Sequence, residues 1–166
     1  GRNKAIIYTP GDKLSVFAEQ VATKLAKNNG TSINVAGNGL GSWMDKQPKT
    51  PEAVATTQEK LNGALLRVLT EVKKVQPQLT RIVTGGQTGT DIAGAIAGAA
   101  LGLKVEVTMP RGFRQRTAEG RDITQTEADV RRQIEEGAAK LRAQMPPRAP
   151  YSPTFTPMDS TSDLKK

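Results

Sequence analysis

Two spacings of apolar residues alternate along this chain and divide it into strands and helices. Lys4-Ala5-Ile6-Ile7-Tyr8-Thr9 is a β-branched and aromatic run ended by Pro10-Gly11, which predicts a buried first strand. Asp12 stands where it would cap a helix, and Leu14, Phe17, Val21 and Leu25 share one face of that helix until Asn28-Asn29-Gly30 stops it. Ser32-Ile33-Asn34-Val35-Ala36 predicts a second strand running into Gly37-Asn38-Gly39-Leu40-Gly41-Ser42-Trp43. After a polar stretch with Pro48 and Pro51, a long helix from about Glu52 to Val75 carries Leu61, Leu65, Val68, Leu69 and Val72 on its apolar face. The third strand, Arg81-Ile82-Val83-Thr84, opens into Gly85-Gly86-Gln87-Thr88-Gly89-Thr90-Asp91.

The helix after that loop, Ile92 to Leu101, is almost all small or apolar, so it is stable only if buried on most sides. Gly94 and Gly98, four apart, let it lie close to a sheet. A fourth strand, Lys104 to Met109, ends at Pro110 and is followed by the arginine-rich loop Arg111-Gly112-Phe113-Arg114-Gln115-Arg116 and a polar helix from about Thr124 to Arg142. Strand and helix alternating four times predicts an α/β fold, an open and mostly parallel sheet of about four or five strands flanked by helices. Such sheets bind ligands at the carboxyl ends of their strands.

Composition narrows the chemistry. The 166 residues hold neither cysteine nor histidine, which excludes disulfides, Cys/His zinc sites, thiolate nucleophiles and histidine-based triads. No other metal site is expected. No apolar run reaches the roughly 18 residues that span a bilayer, and no charged-then-apolar leader is present, so the expectation is a cytoplasmic protein without membrane contact. One domain, residues 1–145, is expected. Residues 146–166 hold five of the ten prolines and predict an extended arm or linker. Gly1 in place of Met and that linker-like end suggest a piece of a larger polypeptide.

The glycine loop is the strongest chemical signal. Gly85, Gly86 and Gly89 permit close backbone approach, and the exposed N–H groups of a helix start attract an anion. Thr88 and Thr90 offer hydroxyls, Gln87 an amide, and Asp91 a carboxylate for a sugar hydroxyl or for chemistry. The loop matches neither G-x-G-x-x-G nor G-x-x-x-x-G-K-[ST], which excludes the standard dinucleotide fingerprint and the Walker A loop. The stretch from Arg111 to Arg121 holds four arginines and one acid, Glu119. Arg111, Gly112, Arg114 and Arg116 are expected opposite the glycine loop, as a fork for phosphate or carboxylate. Phe113 either stacks on a base or plugs the core. Gly37, Asn38 and Gly39, at the end of the second strand, should border the same crevice, with Trp43 as a wall or lid.

The run from Ile82 to Asp91, its small-residue helix, Leu101-Gly102-Leu103 and the strand ending in Pro110-Arg111-Gly112 resemble the molybdenum-carrier group of the SLOG superfamily. Those proteins carry a strand, G-G-Q-T-G-x-D, an Ala-rich helix, L-G-[IL], a strand and P-[KR]-G. The DNA-processing protein DprA has a looser loop at the corresponding place. The resemblance implies a Rossmann-like domain that binds a nucleotide or an ADP-ribose-like ligand, and similar domains occur within large phage polypeptides. The related hydrolases that release cytokinin bases (the LOG group) carry a glutamate three residues after the threonine of P-G-G-x-G-T-x-x-E. Here Ala93 stands there.

Three functions follow. The first is binding of a small phosphorylated ligand. The second is nucleotide or N-glycoside hydrolysis, with Asp91 as base or ribose anchor. The third is single-stranded nucleic-acid binding, motivated by the net charge of +8 but poor in aromatics for stacking. A homo-oligomer is compatible with the Gly/Ala helix and the extended arm.

Overall fold

The computed structural model describes residues 5–8 and 11–145. Three parallel strands form the central sheet: β1 (Ser32–Val35), β2 (Arg81–Gly85) and β3 (Lys104–Thr108), in the order β1-β2-β3. The helices are α1 (Leu14–Lys27), the single turn α2 (Leu40–Trp43), α3 (Pro51–Val75), α4 (Thr90–Ala100) and α5 (Glu127–Gln144). A separate antiparallel hairpin, β4 (Arg114–Arg116) with β5 (Asp122–Thr124), interrupts the chain between β3 and α5. The protein is thus mixed α/β with a parallel sheet, and the five strands among the described residues fall into two sheets. The expected first strand does not form: residues 5–8 have no regular structure, and Ile7 is 78% exposed. Ile6 instead lies beside α1, and Tyr8 packs edge-to-face on Phe17. The proline-rich stretch 146–166 lies outside the described residues.

Register explains which side chains are buried. Ile33, Ile82 and Val105 are partners across the three strands, as are Val35, Thr84 and Val107. With a period of two, all six share one face, and α4 lies on it. A Cβ at Gly94 would sit 2.7 Å from Val35 Cγ1, and one at Gly98 would sit 2.9 Å from Ile82 Cγ1. These two glycines therefore set the distance from helix to sheet. Eight of the eleven residues of α4 are buried, because α3 and α5 pack along its flanks. The opposite face carries the exposed Ser32, Asn34, Lys104 and Thr108, and Arg81 forms an ion pair with Glu106 there.

Helix ends follow local chemistry. Thr50 caps α3, its hydroxyl accepting from Ala53 N–H at 3.2 Å with Pro51 next in line. Thr126 and Asp129 close a capping box on α5. The N-cap of α1 is Lys13, without a side-chain cap bond, and not Asp12. Among the described residues no helix is long and apolar enough to cross a membrane.

Candidate functional site

The glycine loop leaves β2 at the carboxyl edge of the sheet and enters α4 through Gly89, whose φ of 100° is open to glycine almost alone. Neighbouring backbone surrounds this residue. A Cβ there would lie 2.6 Å from Leu40 N and 2.7 Å from Asn38 O. The loop after β1 runs alongside, joined by Leu40 N–H to Thr88 O at 3.2 Å and Thr90 N–H to Asn38 O at 3.1 Å. The Thr90 hydroxyl donates to Asn38 O at 2.9 Å and accepts from Trp43 Nε1–H at 3.0 Å. Trp43 therefore pins the two loops together and is neither wall nor lid, and residues 40–43 form the helical turn α2.

The third wall is the β4–β5 hairpin, attached to the glycine loop through side chains. Gln87 behaves like one more peptide unit beside β4: its Nε2 donates to Arg114 O at 2.8 Å and its Oε1 accepts from Arg116 N–H at 3.0 Å. The Thr88 hydroxyl donates to Arg116 O. Strand alternation turns Arg114 and Arg116 outward and Gln115 inward. Buried Gln115 donates to Gly86 O at 2.8 Å and exchanges bonds of 2.9 and 3.0 Å with Gln133 of α5. At the far end of the hairpin, buried Ala118 packs on Leu40 and Met44.

These walls enclose a cleft of about 900 Å³. Of the predicted residues, Gly37, Gly39, Gln87 and Thr88 line it, and so do Asp91, Arg114 and Arg116. Asn38, Gly85, Gly86, Gly89 and Thr90 stand behind it as framework, and Arg111 and Gly112 lie outside its lining. The loop glycines answer to protein contacts: a Cβ on Gly86 would strike Met109, and one on Gly37 would lie 2.7 Å from Thr90 Cγ2. Phe113, half-buried with φ 48°, is also outside the lining.

Beyond Asp91, sequence reasoning did not place the acids Asp45, Glu119 and Asp122 in the site. Asp45, Asp91, Glu119 and Asp122 line the cleft against Lys49, Arg114 and Arg116, four carboxylates to three cations. The expected arginine fork is accordingly reduced. Arg116 is held by Asp122, Nε to Oδ1 at 2.9 Å, and that bond lowers the Asp122 pKa. The Glu119 carboxyl is also lowered, chiefly by hydrogen bonds to its own backbone and to Thr117, with smaller contributions from Arg121 and Lys49. Gln58 and Asn62 of α3, which brace Gly89 from behind, carried no signal beyond being polar residues on a helix.

Asp91 stands in the first turn of α4. Its Oδ1 accepts from Gly37 N–H at 3.2 Å. Burial pushes its carboxyl above the ordinary aspartate range, and the Gly37 bond opposes that only in part. A half-buried carboxylate of this kind can accept a hydroxyl proton from a ligand or act as a base. Among the described residues no cluster of three or more acidic side chains is placed to hold a metal ion. The chain matches no known family model, no curated protein and no solved structure in the comparisons made.

Proposed function

We propose that the cleft binds a small phosphorylated ligand of nucleotide type, with Arg114 toward its anionic group and Asp91 toward its hydroxyls. One observation carries this reading: a half-buried carboxylate and an arginine line a single cleft beside the glycine loop, where a parallel α/β sheet presents its carboxyl edge. The finer architecture in this reading is a Rossmann-like domain of SLOG type, supported by the G-G-Q-T-G-T-D loop between β2 and α4.

Mass spectrometry of small molecules released from the purified protein on denaturation tests the reading directly. Calorimetry against AMP, NAD, ADP-ribose, cyclic dinucleotides and molybdate follows. A phosphorylated species with measurable heat is expected, and silence with every compound would sink the proposal.

A second reading, hydrolysis of a nucleotide with Asp91 as base, is favoured by the burial and upward pKa shift of that one carboxyl. Turnover that survives Asp91→Asn would remove it.

A further inference from the structure

We infer that the cleft selects a ligand with a single anionic group on a body rich in hydroxyl or amino donors, a sugar phosphate in chemical class. Pyrophosphates, triphosphates and nucleic acid are selected against. This rests on the preceding proposal that a phosphorylated small molecule binds here.

Charge supplies the first argument. Four carboxylates and three cations line the cleft, so its lining is net negative by one. The cations are unequally free. Arg116 is committed to Asp122, and Lys49 faces Glu119 closely enough to lower its pKa. Arg114 makes no side-chain hydrogen bond or ion pair among the described residues, although its charge reaches Asp122. One guanidinium is therefore open to an anion, and its fork geometry suits one phosphate. On the acidic side, Asp45 has no ion-pair partner among the described residues, and Asp91 accepts only the Gly37 N–H. Two carboxylates thus wait for donors, which hydroxyls or an ammonium supply.

The backbone supplies the second argument. A pyrophosphate is ordinarily cradled by free N–H groups at a helix start. Here the Gly89 N–H is taken by Gln58, the Thr90 N–H by Asn38 O and the Ile92 N–H by Gln87 O, so that among the described residues of the α4 start only the Asp91 N–H stays open, beside those of Gln87 and Thr88 in the loop. A second phosphate would meet the acids of the cleft with most of the helix-start donors already engaged, and like charges at contact distance disfavour it.

The test is calorimetry on the full chain with ribose 5-phosphate, glucosamine 6-phosphate, ADP-ribose, ATP and a single-stranded oligonucleotide. The two monophosphates should bind about tenfold or more tightly than ADP-ribose or ATP. Arg114→Gln should abolish monophosphate binding with unchanged Tm, and Arg111→Gln, outside the cleft, should leave it intact. Asp45→Asn should narrow the gap between ribose 5-phosphate and ATP. If ADP-ribose, ATP or the oligonucleotide binds as well as the monophosphates, or if Arg114→Gln binds normally, the inference fails while the broader ligand-binding reading stands. If no phosphorylated compound binds, both fall.

Discussion

The side-chain amide of Gln58 holds both backbone polar groups of Gly89. Its Oε1 accepts from the Gly89 N–H at 2.7 Å, its Nε2 donates to the Gly89 carbonyl at 3.0 Å, and the second Nε2 proton goes to Asn62 Oδ1 at 3.0 Å. A residue on α3 thereby fixes the conformation at which the glycine loop turns into α4. Gln58→Leu leaves the N–H of buried Gly89 without a partner and its carbonyl with only the Ala93 N–H, at about 1–3 kcal/mol for the unsatisfied donor. Urea denaturation should show a loss in that range, and a Gln58→Leu protein as stable as the parent would refute the bracing role.

Glycines 39 and 89 lie opposite each other in an isolated antiparallel bridge between the two loops yet should respond oppositely to alanine. Gly89→Ala forces a side chain into a positive-φ conformation surrounded by backbone atoms, costing on the order of 1–3 kcal/mol for the dihedral before any clash. Gly39 has φ −67°, and its Cβ would come no closer than 3.7 Å to Thr88 O. Gly39→Ala should therefore keep the parent Tm while filling part of the cleft, so that ligand binding falls without unfolding. Paired melting and calorimetry separate the two effects.

Gln115 is the inward anchor of the hairpin. Gln115→Leu keeps the bulk but strands Gly86 O and the amides of Gln125 and Gln133, which should cost about 1–3 kcal/mol. Hydrogen exchange should accelerate across 113–125 well before it does in α4. Uniform acceleration through both regions would show that the hairpin does not open as its own unit.

Stability and pH are linked through Asp91 with a sign opposite to that of the surface acids. Glu106, Asp122 and Asp129 have lowered pKa values, led in each case by a side-chain hydrogen bond, to Arg81, Arg116 and Thr126 respectively. Their stabilisation is present above the unfolded pKa and is lost as pH falls through the folded one. The folded pKa of Asp91 is raised by burial, so the folded state takes up that proton first, and the penalty for its charge fades as pH falls into the window above 3.8. Asp91→Asn removes the penalty and retains an acceptor for Gly37 N–H. Its Tm should exceed that of the parent at pH 7, and the difference should shrink toward pH 4. A difference that grows on acidification would contradict the assignment.

Much of the fold was legible because it depends on local pattern. The alternation in Arg81-Ile82-Val83-Thr84 and Lys104-Val105-Glu106-Val107 marks strands with one buried face, and the Gly/Ala run of α4 demands cover on nearly every side. Lys4 to Thr9 carries the same kind of signal, yet residues 5–8 form no strand. A strand needs a partner edge, and no local pattern reports whether one is within reach. The hairpin was hidden for the converse reason. Arg114-Gln115-Arg116 has no apolar residue to mark an inward face, and its buried position is filled by a glutamine.

The sequence by itself determined where the cleft lies and most of its walls. Glycines, Thr90 and Asp91 at a strand-to-helix junction, with arginines after the next strand, follow from chain order and the geometry of parallel sheets. Only the tertiary structure decided which of those groups remain open. Hydrogen-bond donors and charges are engaged by residues far away in the chain: Gln58 takes the Gly89 N–H, Asn38 the Thr90 N–H and hydroxyl, and β4 the Gln87 amide. Asp122 takes Arg116. What looked in the sequence like a ready anion cradle is, once folded, partly satisfied by the protein itself, because a buried or half-buried polar group binds the nearest partner the fold brings to it. Asp91 and Arg114 are left facing a common cleft.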